Sequence, residues 1–120
     1  MLAILADLVF RSKLEAAAAH AGVPLQVVRE VPRPETVRAV AAWHLVIVDL
    51  DESGRDPFEM VTAVRRLVPT APLVGYYSHS DTECGLRARQ AGCTVVWPRS
   101  VFVQRLPELL VGQYPGGEIL

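Results

Sequence analysis

Short apolar runs alternate with longer amphipathic segments along most of the chain. Short β-branched runs are typical of buried strands, whereas apolar residues that recur every three or four positions indicate helices. The pattern predicts strands over residues 2–6, 25–29, 45–49, 73–77 and 94–97. It predicts helices over residues 11–21, 34–43, 57–68, 82–91 and 101–111, with an interruption or bend in the last helix near Pro107.

Strands that alternate with helices of this length predict an α/β fold with a parallel sheet covered on both faces. Because crossover connections are right-handed, five consecutive βα units favour a single doubly wound (βα)5 sheet of strand order 2-1-3-4-5. A chain of 120 residues has the length of one domain. We therefore expect one domain over residues 1–111 and a flexible C-terminal tail over residues 112–120.

Composition and charge exclude several classes of function. The formal net charge of -1 gives no general attraction to nucleic acid or to an anionic membrane. No apolar run approaches the roughly 20 residues of a membrane-spanning helix, and the first residues do not resemble a secretory signal. The two cysteines, Cys84 and Cys93, have no metal-binding spacing, so we interpret them as reduced thiols in a cytoplasmic protein.

A carboxylate ends the most apolar predicted strand, where Leu45, Val46, Ile47 and Val48 lead into Asp49. Ligands of open α/β sheets bind just outside the carboxyl ends of the strands, so Asp49 occupies a position where a functional carboxylate would lie. Asp7, after the first strand, is equally compatible with a metal ligand and with a cap of the following turn or helix. We interpret the acidic residues that follow Asp49, among them Asp51, as a solvated loop.

Several segments together resemble the receiver domain of two-component response regulators, which is a CheY-like member of the flavodoxin-like folds. They are residues 2–7, 44–49, 72–77, 91–93 and 98–102, and the resemblance extends from Leu2 to about Leu110. It implies that Asp49 is the phosphoacceptor and that Asp7 and Asp49 bind Mg²⁺. It also places Tyr77, or Ser78 next to it, at the family's Thr/Ser position, and Arg99 at the position of its Lys.

The chain departs from the receiver pattern at several of these positions. Ala6 stands where a second carboxylate is expected, and Ser100 replaces the proline that usually follows the Lys. An arginine at position 99 could pair permanently with Asp49 and so mimic one signalling state. The chain thus resembles an atypical receiver or pseudo-receiver. The resemblance implies contacts with a sensor kinase or an output protein, and a homodimer through the fourth helix, fifth strand and fifth helix.

The main alternative is a small nucleotide- or cofactor-binding domain on a flavodoxin-like fold. The turn over residues 7–10 opposes it, because this turn has neither a glycine-rich phosphate cradle nor a P-loop lysine. An enzyme is not favoured either, because the sequence contains no readable nucleophile–base pair or metal triad. We therefore expect a non-enzymatic signalling module that acts through protein contacts.

Overall fold

A computed structural model of the protein describes residues 1–33, 45–51, 56–78 and 82–112. Its strands are β1 (Leu2–Ile4), β2 (Gln26–Val28), β3 (Val46–Asp49), β4 (Leu73–Tyr77) and β5 (Val95–Pro98). They form one parallel sheet of order β2-β1-β3-β4-β5. The predicted α/β class and strand order are thus confirmed.

The described helices are α1 (Leu8–Ala21), α2 (Pro57–Leu67), α3 (Thr82–Ala91) and α4 (Arg99–Leu110). None of the helices in these described ranges is long and apolar enough to cross a membrane. The helix predicted over residues 34–43 and the tail predicted over residues 112–120, apart from Gly112, lie outside the described residues.

The sheet separates two hydrophobic layers, because successive side chains of a strand point to opposite faces. In β1, Ala3 belongs to the layer of α1 and α4, whereas Leu2 and Ile4 belong to the layer of α2. β3 is buried along its whole length, as the apolar run before Asp49 predicts. Asp49 is therefore buried at the C-terminal end of the central strand and does not lie in a solvated loop.

Two helices differ from their predicted bounds in ways that affect the site. α1 begins at Leu8 instead of residue 11, because the Asp7 side chain caps its first turn. α4 begins at Arg99 instead of residue 101 and continues through Pro107. The proline removes only the hydrogen bond to the carbonyl of Val103, and Val103 lies on the exposed side of the helix.

Candidate functional site

Asp49 ends β3 at the centre of the sheet, beside Tyr76 of β4. It is the buried charged residue of the described core, with 4% of its surface exposed. Its Oδ1 atom accepts a hydrogen bond from the backbone N–H of Asp51 at 2.8 Å. This bond fixes the carboxylate and leaves Oδ2 facing the C-terminal edge of the sheet. Asp49 therefore lies where the sequence places it.

Asp7 lies at the same edge and is the N-cap of α1. Its Oδ1 atom accepts hydrogen bonds from the backbone N–H groups of Val9 and Phe10, at 3.0 and 3.1 Å. These bonds, with a smaller contribution from the nearby Arg99, lower the pKa of the Asp7 carboxyl below its usual value. The interpretation as a cap is thus confirmed, and the second carboxylate oxygen remains directed at Arg99.

Asp51 joins these two carboxylates, although its position in the sequence suggests a solvated loop. Its Oδ2 atom accepts a hydrogen bond of 2.6 Å from the backbone N–H of Ser78, and its side chain is only 15% exposed. The loop after β3 is therefore tied to the end of β4. Ser78, one of the two residues predicted for the receiver's Thr/Ser position, takes part in the site through its backbone. The signal that could have identified Asp51 is its position two residues after Asp49, where its N–H can return to that carboxylate.

Arg99 faces all three carboxylates from the first turn of α4. Its terminal nitrogens lie 3.5 Å from Oδ2 of Asp7, 3.9 Å from Oδ2 of Asp49 and 3.9 Å from Oδ2 of Asp51. The structure thus brings together the predicted site residues Asp7, Asp49 and Arg99. We call Asp7, Asp49, Asp51 and Arg99 the carboxylate–arginine cluster.

The rings of Phe10 and Tyr76 lie beneath the Arg99 guanidinium, and we call these two rings the aromatic floor. The Arg99 Cζ atom is 4.8 Å from the ring centre of Phe10 and 5.4 Å from that of Tyr76, within the range of cation–π attraction. Tyr76 also stacks on Phe102, with ring centres 4.9 Å apart. The guanidinium thus lies over one ring from α1 and one from β4, and Phe102 of α4 supports the ring from β4.

The hydroxyl of Tyr76 is buried beside Asp49. Burial raises the pKa of this hydroxyl, and the negative charge of Asp49 raises it further, so the phenol stays protonated. Neither this hydroxyl nor the Nε–H of Arg99, which is also buried, has a hydrogen-bond partner among the described residues. Two polar groups are thus unsatisfied next to the carboxylates.

Known proteins were compared with the chain at the levels of sequence and structure. No protein-family model matches it, and no curated protein matches it in sequence. A response regulator from Burkholderia pseudomallei, solved with a phosphorylated aspartic acid, a calcium ion and citrate, has a TM-score of 0.75 at 17% identity, covering 98% of this chain and 68% of that one. A CheY-like receiver domain protein from Methanospirillum hungatei has a TM-score of 0.70 at 13% identity, covering 93% of each chain. The beryllofluoride-activated NtrC4 receiver domain, solved as a dimer, has a TM-score of 0.71 at 11% identity, covering 94% of this chain and 97% of that one.

The chain has the fold of a response-regulator receiver domain. At these identities the likeness establishes the fold, and the fold resemblance expected from the sequence is confirmed. The cofactor-binding alternative is not favoured by these structural neighbours.

Tyr77, predicted to lie at the receiver's Thr/Ser position, has its ring in the opposite hydrophobic layer from Tyr76. A Cβ atom on Gly85 of α3 would be 3.8 Å from the Tyr77 hydroxyl, so the ring packs beneath that helix. Both tyrosines are buried, one on each face of the sheet. It is therefore Tyr76, which sequence reasoning did not select, that borders the carboxylate–arginine cluster.

The donor atoms in the cluster are of the type that a divalent cation requires, because Mg²⁺ prefers carboxylate oxygens. Their arrangement is set by the guanidinium instead. In the described ranges, no group of three or more His, Cys, Asp or Glu side chains converges as a metal site. Asp7 and Asp49 would supply two carboxylate ligands for a cation at this edge, next to the positive charge of Arg99.

Proposed function

We propose that this chain is an atypical receiver-type signalling module that acts through protein contacts and accepts a phosphoryl group on Asp49. The observation that supports this most directly is the position of Asp49 in the receiver fold. One of its oxygens is fixed by the Asp51 N–H, and the other faces Arg99. A buried, oriented carboxylate beside a guanidinium supplies both a nucleophile and a partner for the transferred group.

The reaction would use the Oδ2 atom of Asp49, which faces Arg99. Oδ2 attacks the phosphorus of a phosphodonor, the bond between phosphorus and the leaving oxygen breaks, and the leaving group departs with the electron pair. The product is an acyl phosphate on Asp49. Arg99 is close enough to donate to the phosphoryl oxygens, which suit its planar fork. A divalent cation held by Asp7 and Asp49 would neutralise further charge on this group.

A charge change at this edge can be transmitted because α4 carries Arg99 in its first turn. The edge strand β5 contacts both α3 and α4, so these three elements lie next to one another along this edge of the sheet. Leu86 of α3 and Val103 of α4 are exposed apolar residues on these helices, which supports a protein-contact role. We propose that a sensor kinase or an output protein in the cytoplasm binds the module, and that it forms a homodimer through the face of α3, β5 and α4.

Incubation with acetyl phosphate and Mg²⁺, followed by intact-protein mass spectrometry, tests the acceptor role. We expect the gain of a single phosphoryl group, and no gain in Asp49→Asn. Asp56→Asn is the matched control, because Asp56 caps α2 outside the cluster and asparagine can also act as a cap. A gain that persists in Asp49→Asn would contradict the proposal. So would the absence of a gain in both the wild type and Arg99→Lys.

A further inference from the structure

The position of Arg99 is fixed from below and from one side. Its guanidinium lies over the rings of Phe10 and Tyr76, and its Nε atom is buried. The side chain is only 32% exposed, so it is not a solvated arginine that happens to lie near acidic groups. The aromatic floor directs its terminal nitrogens at the carboxylates.

The oxygens that face Arg99 are those that a cation would need. In Asp7 and Asp49 the Oδ1 atoms already accept backbone hydrogen bonds, and the Oδ2 atoms face the guanidinium. A magnesium ion would need these same oxygens at about 2.1 Å. The guanidinium nitrogens lie 3.5–3.9 Å from these oxygens, so a metal ion bound to them would lie within about 6 Å of the guanidinium, and the two positive charges would repel each other.

The ion pairs of Arg99 are nevertheless long. Its contacts with Asp49 and Asp51 are 3.9 Å, its hydrogen bond to Asp7 is 3.5 Å, and none is a close bidentate pair. Three carboxylates face one guanidinium, so the cluster has a formal charge of two negative units. The unsatisfied Tyr76 hydroxyl, which is fully buried, borders the same cluster and offers a further polar contact to an occupant or to its water. The cluster therefore attracts a second cation while Arg99 obstructs it.

We propose that Arg99 is a displaceable internal cation that competes with a divalent metal ion for Asp7 and Asp49. The proposal rests on the proposed function only in naming the same site. Metal binding and the arginine position are then linked reciprocally: a bound metal ion moves Arg99 off the aromatic floor, and any partner that holds Arg99 in place weakens metal binding. The wild type thus binds divalent cations weakly, with Arg99 setting the threshold.

Titration with MgCl₂ and MnCl₂ at constant ionic strength tests this, with the melting temperature and calorimetric heat as readouts. We expect Arg99→Met to bind either cation at least about tenfold more tightly than the wild type. A like charge at this distance from a divalent ion is worth about that factor even with the screening of water. Arg105→Met is the matched control and should keep the wild-type affinity, because Arg105 lies on the same helix but over Trp97.

Equal affinity in the wild type and Arg99→Met overturns the proposal, as does the absence of binding in both up to about 10 mM, which exceeds the range of weak divalent sites. If Arg99→Met unfolds without metal, recovery of its fold on adding Mg²⁺ supports the proposal, and no recovery overturns it. Arg99→Lys should fall between the two affinities. Because these readouts require no phosphoryl transfer, they can fail while phosphorylation of Asp49 succeeds, and the reverse.

Discussion

Arg65 of α2 is expected to contribute more to stability than any surface charge. Its guanidinium group is partly buried and donates hydrogen bonds to the loops before β4 and β5. The acceptors are the carbonyl oxygens of Val68, Pro69, Ala71 and Gly92 and the hydroxyl of Thr94, at 2.8 to 3.3 Å. Burial of this group lowers its pKa, but an arginine stays charged at neutral pH. Replacing Arg65 with methionine retains the aliphatic stem and removes every one of these donors.

The expected cost follows from the shortest contacts. Three part-buried carbonyls, those of Val68, Ala71 and Gly92, accept bonds of 3.0 Å or less. Each such bond contributes about 1 kcal/mol net, so Arg65→Met should lower the free energy of unfolding by about 3 kcal/mol. Urea denaturation with linear extrapolation measures it. Arg66→Met, at the exposed neighbouring position, should change stability by less than about 0.5 kcal/mol. Equal losses in the two variants, or a cost below about 1 kcal/mol for Arg65→Met, would refute the reasoning.

Three further predictions concern a glycine pair, the thiols and acid stability. Gly85→Ala should stabilise the protein by about 0.5–1 kcal/mol in thermal unfolding, because α3 gains helix propensity and the new Cβ meets no atom closer than 3.8 Å. Gly92→Ala should destabilise it, since φ is +137° and its Cβ would meet a side-chain carbon at 2.9 Å; equal signs would contradict this. Iodoacetamide at pH 8 should label half-buried Cys84 well before Cys93, because burial raises the pKa of Cys93 to about 12; peptide mass mapping that shows equal labelling would be inconsistent. The pKa of Asp7 lies below its unfolded value, so its ionised cap stabilises the fold above about pH 4 and this contribution is lost as the pH falls through the native pKa. Asp7→Asn should therefore flatten the fall of the melting temperature below that pH, and an unchanged slope would exclude this role.

The parts of the fold that follow from local patterning were predictable from the sequence. The β-branched run before Asp49 predicts a buried central strand, and strand ends of a parallel sheet meet at one edge. Because Asp7 follows β1, which pairs in parallel with β3, the same edge of the sheet also brings Asp7 near Asp49. The receiver resemblance placed Arg99 at the position of the family's Lys, and the structure places it opposite both carboxylates.

The remaining details depend on side-chain direction, which the sequence pattern does not determine. Two adjacent tyrosines must point to opposite faces of β4, but only the strand phase decides that Tyr76, not Tyr77, borders Asp49. Asp51 belongs to a short acidic segment that follows a strand, and the composition of this segment is that of a solvated loop. In the structure Asp51 is instead only 15% exposed and accepts a tertiary hydrogen bond from the Ser78 N–H, 27 residues away in sequence.

The signalling proposal requires that a charge change at Asp49 alters the face formed by α3, β5 and α4. Two-dimensional amide NMR spectra, recorded with Mg²⁺ before and after addition of acetyl phosphate, measure this residue by residue. We expect shifts at the cluster and also along α3 and α4, including Leu86 and Val103, with neither in Asp49→Asn. Shifts confined to residues that contact Asp49, or the same shifts in Asp49→Asn, would contradict a signalling role for this site.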